Sequence, residues 1–593
     1  MKKLVITNLI AMVSLFAFAQ NENEIVMKAM KSEMQRNIEQ LKLENLKNPF
    51  YIAYTAGDIE LTYIGASLGS ITGYSNDKLR TQNTNLLVGD YQRTNNNFFD
   101  ANVLYRWGSR ISVPVDNDYY GIRRTFWKSS DEEYKFAAEV YESKISAINN
   151  QNLSQEDLDL ADFSKSKAIT KKIPENNTEI DVDKWKNIAK DVSAVFIEYD
   201  NIIDSDVSLY FYNTYVNFYN SEKSEISYPL TYAVILITAE TLSESGERLF
   251  DHIHYYATSP DDLPDLKKLK KDAEFTAEKL TKLQNAPVFE DYYSGPVLIM
   301  EQAVPEYFIQ QVFDGTNSLL ARRRPILQNE QIGMAAGSRA KGNRLELRMN
   351  RRIMDRSITI KSNPLLQKYN NIKLFGHYPV DAEGVVPKET VLVKEGILNS
   401  FLTNRIPTKT SNESNGSERI AIQNKNFGER IAPGVIFASS TNTKTEDELK
   451  KELIRIAKDE DMDYAIIIRK FEYPVSERTH ETRSWQEPEE TKMTRPLYIY
   501  KVNLEDGSEE LIRGAEVSGL NIRSLNRIIG TSEKEYVYNG MKSVYHQMSN
   551  KGFFHGIPVS IICPDAILFR EVEIQQETSS KRRLPVVDSP LKE

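Results

Sequence analysis

Apolar residues recur at helical spacing in four places along the first half of the chain. Spacings of three and four predict a helix over about 25–43, with Met27, Met30 and Met34 on one face. Ser130 and Glu133 have the spacing of a capping box, which predicts that a second helix begins there. Two more helices are predicted near 184–198 and along 266–280, the latter with a solvated lysine-rich face.

β-like runs alternate with these helices. The run FYIAYTAGDIELTYIGASLGSITG predicts a pair of strands soon after the first helix. Three later runs, over about 207–219, 226–240 and 248–258, are separated by the turn-rich linkers NSEKSE and SESGE. Linkers of that length are typical of hairpins, so these three runs predict an antiparallel meander.

The second half consists mainly of short β-like runs with Gly and Pro between them, interrupted by one clear helix, TEDELKKELIRIA, whose Thr445 and Glu448 form another capping box. The fold class predicted is α+β: an amino-terminal α/β region with an antiparallel meander, then a strand-rich carboxy-terminal sandwich or open barrel.

At 593 residues the chain is long enough for several domains. The predicted division is a signal peptide at 1–19, an α+β domain at 20–165, a central α+β domain at 166–290 and the strand-rich domain at 291–593. The leader MKKLVITNLIAMVSLFAFAQ has two lysines, an apolar run and the small-x-small pattern of a cleavage site. It predicts a periplasmic or secreted protein, and no segment is long enough to predict a membrane span.

Composition narrows the function classes. The net charge of −9 and the predicted export argue against a nucleic-acid partner. The single cysteine, Cys563, excludes an intrachain disulfide, and its apolar surroundings predict a buried structural thiol. The basic stretches Arg322–Arg324 and SRAKGNRLELRMNRR could bind phosphates or peptide carboxylates, or form a solvated face or a partner interface.

Two short motifs resemble catalytic or metal sites. Gly65 to Gly69 matches G-x-S-x-G, but the helix that a nucleophile elbow needs does not follow, so the motif predicts a turn. His252 and His254 lie two apart, so a strand would place both on one face as two possible zinc ligands. No other histidine has a spacing that supplies a third ligand, and strand-face histidines are the alternative interpretation.

Five blocks in order carry a family resemblance: KSEMQRNIEQL with NPFYIAY, YYSGPVLIMEQAVPEYF, HYPVDAEGVVPKETVLVKEGILNSFLTNR, DGSEELIRGAEVSGLNIRSLNRIIG and IPVSIICPDAILFREVEI. With these blocks the chain resembles the TldD/PmbA family, once called modulators of DNA gyrase. The resemblance implies zinc metallopeptidases with an HExxxH segment, in which two histidines and a distant cysteine bind the metal and the glutamate handles the catalytic water.

In that register Met300, Glu301 and Pro305 occupy the H, E and H positions. A thioether is a poor zinc ligand, and proline has no side-chain donor and is expected to begin a helix, PEYFIQQVF. Glu301 is then interpreted as a first-turn carboxylate near the amino terminus of that helix. Cys563 does not lie where the resemblance implies the family's cysteine ligand. No catalytic residue, cofactor or metal ligand is therefore predicted for this chain, and zinc is expected only in an active homologue or partner.

The resemblance further implies a non-catalytic subunit that forms a homodimer, or a heterodimer with a TldD-type zinc subunit, and helps to enclose unfolded peptide. Two alternatives stay open. One is a metallopeptidase that acts through a non-standard site built from His252, His254 and carboxylates. The other is an envelope binding or scaffold protein without a protease partner.

Overall fold

The computed structural model describes residues 24–106, 111–175, 179–423, 426–473, 493–543 and 556–577. The predicted signal peptide lies outside these residues. Among the described residues, no helix is both long and apolar enough to cross a membrane.

Nine α-helices occur in the described residues: α1 (24–40), α2 (Ala101–Leu104), α3 (Tyr119–Asn150), α4 (Gln155–Asp159), α5 (Val182–Ser193), α6 (Leu266–Asn285), α7 (Ala303–Tyr307), α8 (Glu330–Ala336) and α9 (Glu446–Asp459). A π-helix, Phe308–Val312, directly continues α7. Short 3₁₀ helices cover Ala194–Glu198, Pro260–Asp262, Gly337–Ala340, Arg344–Arg348 and Ile522–Arg527.

The predicted capping box at Ser130 is wrong. Helix α3 begins eleven residues earlier, at Tyr119, and its N-cap is Asp118, whose side chain accepts from the Tyr120 N–H. Ser130 is a buried residue in the middle of the helix, and its Oγ lies 2.6 Å from the hydroxyl of Tyr54. The serine makes a tertiary hydrogen bond instead of capping a helix. The second predicted capping box is confirmed at Thr445 and Glu448, where α9 begins.

Seven strands precede α6: β1 (Pro49–Ser67), β2 (Ser70–Val88), β3 (Phe98–Phe99), β4 (Thr170–Lys172), β5 (Ile202–Asn220), β6 (Glu225–Leu242) and β7 (Arg248–Ala257). Six of them form one sheet in the order β2-β1-β5-β6-β4, with β7 also paired to β6. The predicted meander β5-β6-β7 is antiparallel as expected. The G-x-S-x-G motif ends in the turn between β1 and β2, where Leu68 and Gly69 both have positive φ.

Nineteen strands follow α6: β8 (Tyr292–Met300), β9 (Ile326–Leu327), β10 (Ile358–Ser362), β11 (Lys368–Tyr369), β12 (Ile372–Lys373), β13 (Thr390–Lys394), β14 (Ile397–Leu398), β15 (Glu418–Gln423), β16 (Asn426–Ile431), β17 (Val435–Ser440), β18 (Thr443–Lys444), β19 (Tyr464–Phe471), β20 (Pro496–Asn503), β21 (Glu509–Ile512), β22 (Ala515–Ser518), β23 (Ile528–Ser532), β24 (Glu535–Lys542), β25 (Ile557–Pro564) and β26 (Ala566–Gln576).

Two large sheets organise this half. An eight-stranded sheet has the order β18-β23-β26-β8-β19-β20-β21, with β22 paired to β26, and a six-stranded sheet has the order β14-β13-β10-β17-β25-β24. Neither sheet closes into a barrel within the described part of the chain. The mixed α+β class and the strand-rich second half are therefore confirmed. The three-domain division stays a prediction, and the amino-terminal sheet takes strands from both sides of the predicted boundary at 165/166.

Strand β8 separates the two largest cores. Val297 and Ile299 lie in a core that the eight-stranded sheet shares with the six-stranded sheet, and α7 and the π-helix are buried there. Leu298 and Met300 lie in the other core, with α5, α6, α9 and one face of the amino-terminal sheet. Alternate residues of a strand point to opposite faces, so one short strand contributes to both cores.

Candidate functional site

The residues at the HExxxH positions do not converge. Met300 ends β8 and is buried in the core that contains α6 and α9. Pro305 is buried in α7, whose apolar residues belong to the core on the opposite side of the sheet. The two positions therefore cannot contribute to one site in this register.

Helix α7 begins earlier than predicted. It begins at Ala303, with Gln302 at the N-cap, so Pro305 is its third residue and not its first. Proline is tolerated at this position because the first four N–H groups of a helix have no intrahelical acceptor. Glu301 lies outside the helix and has a left-handed φ of 54° where strand becomes helix.

Glu301 belongs to a chain of surface charges. Its Oε1 accepts from Arg469 Nη1 at 2.6 Å, and Arg469 also contacts Glu509, which pairs with Lys450 at 2.6 Å. The Glu301 side chain is 50% exposed. Its backbone N–H donates a hydrogen bond to the Asp565 carbonyl oxygen, with an N···O distance of 2.7 Å, and this bond fixes the residue at the end of β8. The carboxylate is thus held by a guanidinium and does not face a metal-binding group.

A second carboxylate in the same segment, Glu306, was missed by the sequence reasoning. It is fully buried, and its oxygens accept from the Phe471 N–H at 2.7 Å and from Gln302 Nε2 at 2.8 Å. Burial raises the pKa of Glu306 to about 8. One helical turn later, Gln310 accepts from the Thr494 N–H at 2.9 Å. Glu306 and Gln310 therefore accept hydrogen bonds from the backbone at the end of β19 and just before β20.

His252 and His254 share one face of β7, as their spacing predicts. Their rings stack with centroids 5.6 Å apart. His252 Nε2 lies 3.1 Å from the Tyr473 carbonyl oxygen, and His254 Nε2 lies 3.1 Å from the Tyr538 hydroxyl. Both imidazoles are therefore already engaged in hydrogen bonds with the surrounding core.

A buried ion pair lies beside the histidines. Lys470 Nζ is 2.7 Å from Asp251 Oδ1 and also donates to the His252 carbonyl, and Tyr498 donates its hydroxyl to Asp251. Burial, and next the Lys470 charge, lowers the pKa of His254 to about 3 and that of His252 well below its ordinary value. Both rings are thus neutral at physiological pH, and a cation there would face an ammonium group.

Neither place fits a zinc ion. Zinc needs three or four nitrogen, sulfur or oxygen ligands around one point. No group of three His, Cys, Asp or Glu side chains with that arrangement occurs among the residues that the structure describes. Cys563 is buried in β25, as predicted, and burial raises the pKa of its thiol well above the ordinary value. A thiol in this state is a poor ligand because zinc binds the thiolate.

A cleft of about 280 Å³ lies beyond the carboxyl end of the π-helix. The turn Asp314–Asn317 forms one side, and β22 with the residues that follow it, up to Arg523, forms the other. Strand β22 pairs with β26 along one edge, and no second strand of the described residues pairs with it. An open strand edge beside a cleft is a suitable place for an extended chain to bind.

Comparison with known proteins finds a family domain in the second half of the chain. Residues 328–474 match the model of the PmbA/TldA metallopeptidase C-terminal domain. A protein named metalloprotease from Archaeoglobus fulgidus is 38% identical over 65 residues, which are 11% of this chain and only 14% of that protein.

Solved structures share the fold over most of the chain. A protein described as a modulator of DNA gyrase from Thermotoga maritima superposes with a TM-score of 0.54 at 13% identity, over 92% of this chain and 100% of its own. TldE from Thermococcus kodakarensis superposes with a TM-score of 0.53 at 12% identity, over 92% of this chain and 100% of its own. A further protein described as a modulator of DNA gyrase, from Bacteroides thetaiotaomicron, superposes with a TM-score of 0.53 at 11% identity, over 93% of this chain and 98% of its own. Residues 328–474 of this chain are thus similar to the carboxy-terminal domain of the PmbA/TldA metallopeptidases, and the chain shares its fold with these solved structures over most of its length.

Proposed function

We propose that this chain is a non-hydrolytic, peptide-binding member of the PmbA/TldD family that has lost the zinc ligands. The observation that carries the proposal is the placement of Met300 and Pro305 in cores on opposite sides of the eight-stranded sheet. The carboxylate left between them, Glu301, is neutralised by Arg469 at 2.6 Å. A glutamate held in this way lacks the metal-bound water on which a zinc peptidase depends.

Peptide binding is supported by the cleft at β22. An extended peptide could pair with the open edge of this strand, so that affinity would come from backbone hydrogen bonds rather than from particular side chains. Met493 and Leu520 lie largely buried in the wall of the cleft, and its lining also includes the cation of Arg523 and the acidic residues Asp314 and Glu516. Such a lining favours unfolded peptide of mixed sequence as the ligand.

The proposed partner is a TldD-type subunit with an intact HExxxH segment, with a homodimer as the simpler arrangement. The fold that this chain shares with TldE of T. kodakarensis supports assembly with a related subunit. Export to the periplasm or beyond, proposed from the leader, would put the complex outside the cytoplasm. Fractionation of cells that express the full chain or a version without residues 1–19 tests the export.

The second candidate function is a metallopeptidase that acts through His252 and His254. The observation in its favour is that both rings lie on one face of β7, 5.6 Å apart. The nearby Lys470 ammonium and the hydrogen bonds of both rings count against it. We therefore propose it only as the alternative that the metal measurement must exclude.

We expect purified full chain to retain no stoichiometric zinc after dialysis and to leave an unfolded substrate such as reduced casein intact. The reason is that no converging donor set occurs among the residues that the structure describes. Metal content by mass spectrometry and release of labelled fragments measure the two quantities. The matched variants are Glu301→Gln, which removes the motif carboxylate, and His254→Ala, which removes one imidazole of the alternative site.

Stoichiometric zinc together with hydrolysis that a chelator abolishes contradicts the proposal. If His254→Ala then removes both zinc and activity, the alternative site is established. If Glu301→Gln abolishes hydrolysis while zinc is retained, the motif glutamate is catalytic and the proposed loss of catalysis at the motif is wrong.

Affinity purification of the native protein from its host is expected to bring down a second chain with an intact HExxxH segment, or else only further copies of this chain. Gel filtration of the eluate and sequencing of its subunits distinguish the heterodimer from the homodimer. A monomer without any family member in the eluate contradicts the subunit role and favours the scaffold alternative.

A further inference from the structure

The two basic stretches of the sequence meet in the structure. The N–H of Asn343 donates to the Arg322 carbonyl at 2.8 Å, and Gly342 packs so closely on Arg324 that an added Cβ would lie 3.0 Å from its backbone nitrogen. Asn343 is buried, and its Nδ2 also donates to the carbonyls of Ser318 and Leu320 at 2.7 Å each. Buried amide bonds therefore fix one stretch beside the other.

The joined stretches present an excess of positive charge. Residues 339–356 contain seven Arg or Lys residues and two acidic residues, in a chain whose net charge is −9. Six arginines of the combined surface, which we call the arginine surface, are exposed: Arg324, Arg344, Arg348, Arg351, Arg352 and Arg356.

The two acids within 339–356 are engaged locally. Glu346 accepts from the Thr410 hydroxyl at 3.4 Å, and Asp355 accepts from the backbone and hydroxyl of Ser357. Glu395 is exposed close by, where Arg352 donates to its carbonyl oxygen at 3.2 Å. The arginine surface is thus cationic, and Glu395 beside it and Glu330 in the first turn of α8 are exposed acidic residues.

An exposed apolar side chain lies among these arginines. Leu347 lies between Arg344 and Arg348 in the 3₁₀ helix and is 82% exposed, whereas its neighbour Leu345 is buried and anchors the same helix to the core. Met334 of α8, which is followed directly by the 3₁₀ helix at Gly337, is 71% exposed. A large apolar side chain this exposed is unfavourable in water and gains from an apolar phase.

We propose that the arginine surface binds an anionic phospholipid bilayer, with phosphates held by the guanidinium groups and Leu347 inserted at the level of the headgroups. Guanidinium forks match phosphate oxygens in pairs, and a basic surface with an exposed apolar residue matches the two layers of a membrane interface. The arginine surface, with Leu347 and Met334, includes no aromatic side chain. It therefore lacks the aromatic platform on which the bases of single-stranded nucleic acid stack. Attachment would be peripheral and reversible.

Co-sedimentation of the full chain with vesicles tests this proposal. We expect binding to vesicles of phosphatidylglycerol and phosphatidylcholine, little binding to phosphatidylcholine alone, and weaker binding at high salt. Each arginine near an anionic surface contributes about a fivefold change in partitioning. The double variant Arg348→Gln/Arg351→Gln is therefore expected to lower the partition coefficient by roughly 25-fold. Leu347→Asn is expected to weaken binding without changing the charge.

The matched control is Lys267→Gln/Lys271→Gln, which removes two exposed positive charges from α6. Circular dichroism and thermal melting establish that every variant is folded. Equal binding by the arginine variant and the lysine control contradicts the proposal, because the attraction would then depend only on total charge. Full competition by poly-glutamate, with Leu347→Asn binding as well as wild type, also overturns it and assigns the surface to an acidic polypeptide. Full competition by inorganic phosphate at millimolar concentration overturns it in favour of a free phosphate site.

Discussion

Replacing Asp251 by alanine is expected to lower the free energy of unfolding by about 3–5 kcal/mol. Asp251 is fully buried, Lys470 is nearly so, and their charged atoms lie 2.7 Å apart. Removing the carboxylate leaves a buried ammonium without its counter-ion and takes the acceptor from the Tyr498 hydroxyl. A buried charge without a partner is among the most destabilising changes that a single substitution can make.

Urea denaturation at pH 7 measures this loss. Asp131→Ala is the matched control, because Asp131 pairs with Lys135 at the surface of α3, where both side chains are at least a third exposed. Surface pairs of this kind contribute about 0.5 kcal/mol or less. The double variant Asp251→Leu/Lys470→Met removes both charges and is expected to recover much of the stability. Losses of equal size for Asp251→Ala and Asp131→Ala would show that the buried pair has no special role.

The variant Glu306→Gln is expected to gain stability relative to wild type as the pH rises from 5 to 8. The pKa of Glu306 is about 8 in the folded chain against 4.5 for an ordinary glutamate, and burial is the main cause. The folded state therefore binds the proton more tightly than the unfolded state over this interval. Wild type loses stability with rising pH, by about 1 kcal/mol per pH unit and of the order of 3 kcal/mol in all. Glutamine cannot ionise, so the variant escapes this loss.

The difference between the two proteins is the quantity to measure, because other groups titrate in the same interval with the opposite sign. The pKa of His254 is about 3 in the folded chain, against 6.5 for an ordinary histidine. Its contribution to stability therefore rises as the pH rises from about 3 to 6.5. Urea midpoints of both proteins at half-unit steps remove this common background. A difference that is constant from pH 5 to 8 would mean that Glu306 is ionised throughout and that burial does not control its charge.

Regular strands were predictable because their spacing is local. The meander of β5, β6 and β7 follows from alternation and turn-rich linkers, and so does the shared face of His252 and His254. A strand pair was predicted over 50–73, but the continuation of β2 to Val88 was not. The start of α3 was not predictable in this way. Ser130 has the sequence of a cap but is used for a hydrogen bond to Tyr54, a residue 76 positions away.

The same distinction holds at the candidate site. The loss of imidazoles at Met300 and Pro305 can be read from the printed sequence, but their separation by a sheet depends on the left-handed joint at Glu301. Glu306 was overlooked because its main partner, the Phe471 N–H, lies 165 residues away. One signal was available: Glu306 and Gln310 are polar residues one turn apart in the run AVPEYFIQQVF, in which Gln311 is the only other charged or amide side chain.

The double role of β8 has a consequence for how the chain is made. The core beneath the amino-terminal sheet is completed by Leu298 and Met300 of β8 and by Ala566 and Leu568 of β26. During synthesis the ribosome releases the last of these more than three hundred residues after β5 and β6 have emerged. Until then α5 and α6 pack on this face of the sheet without β8 and β26, so part of the core lacks its cover. We therefore expect the nascent protein to depend on a chaperone or to remain partly unfolded until translation is almost complete.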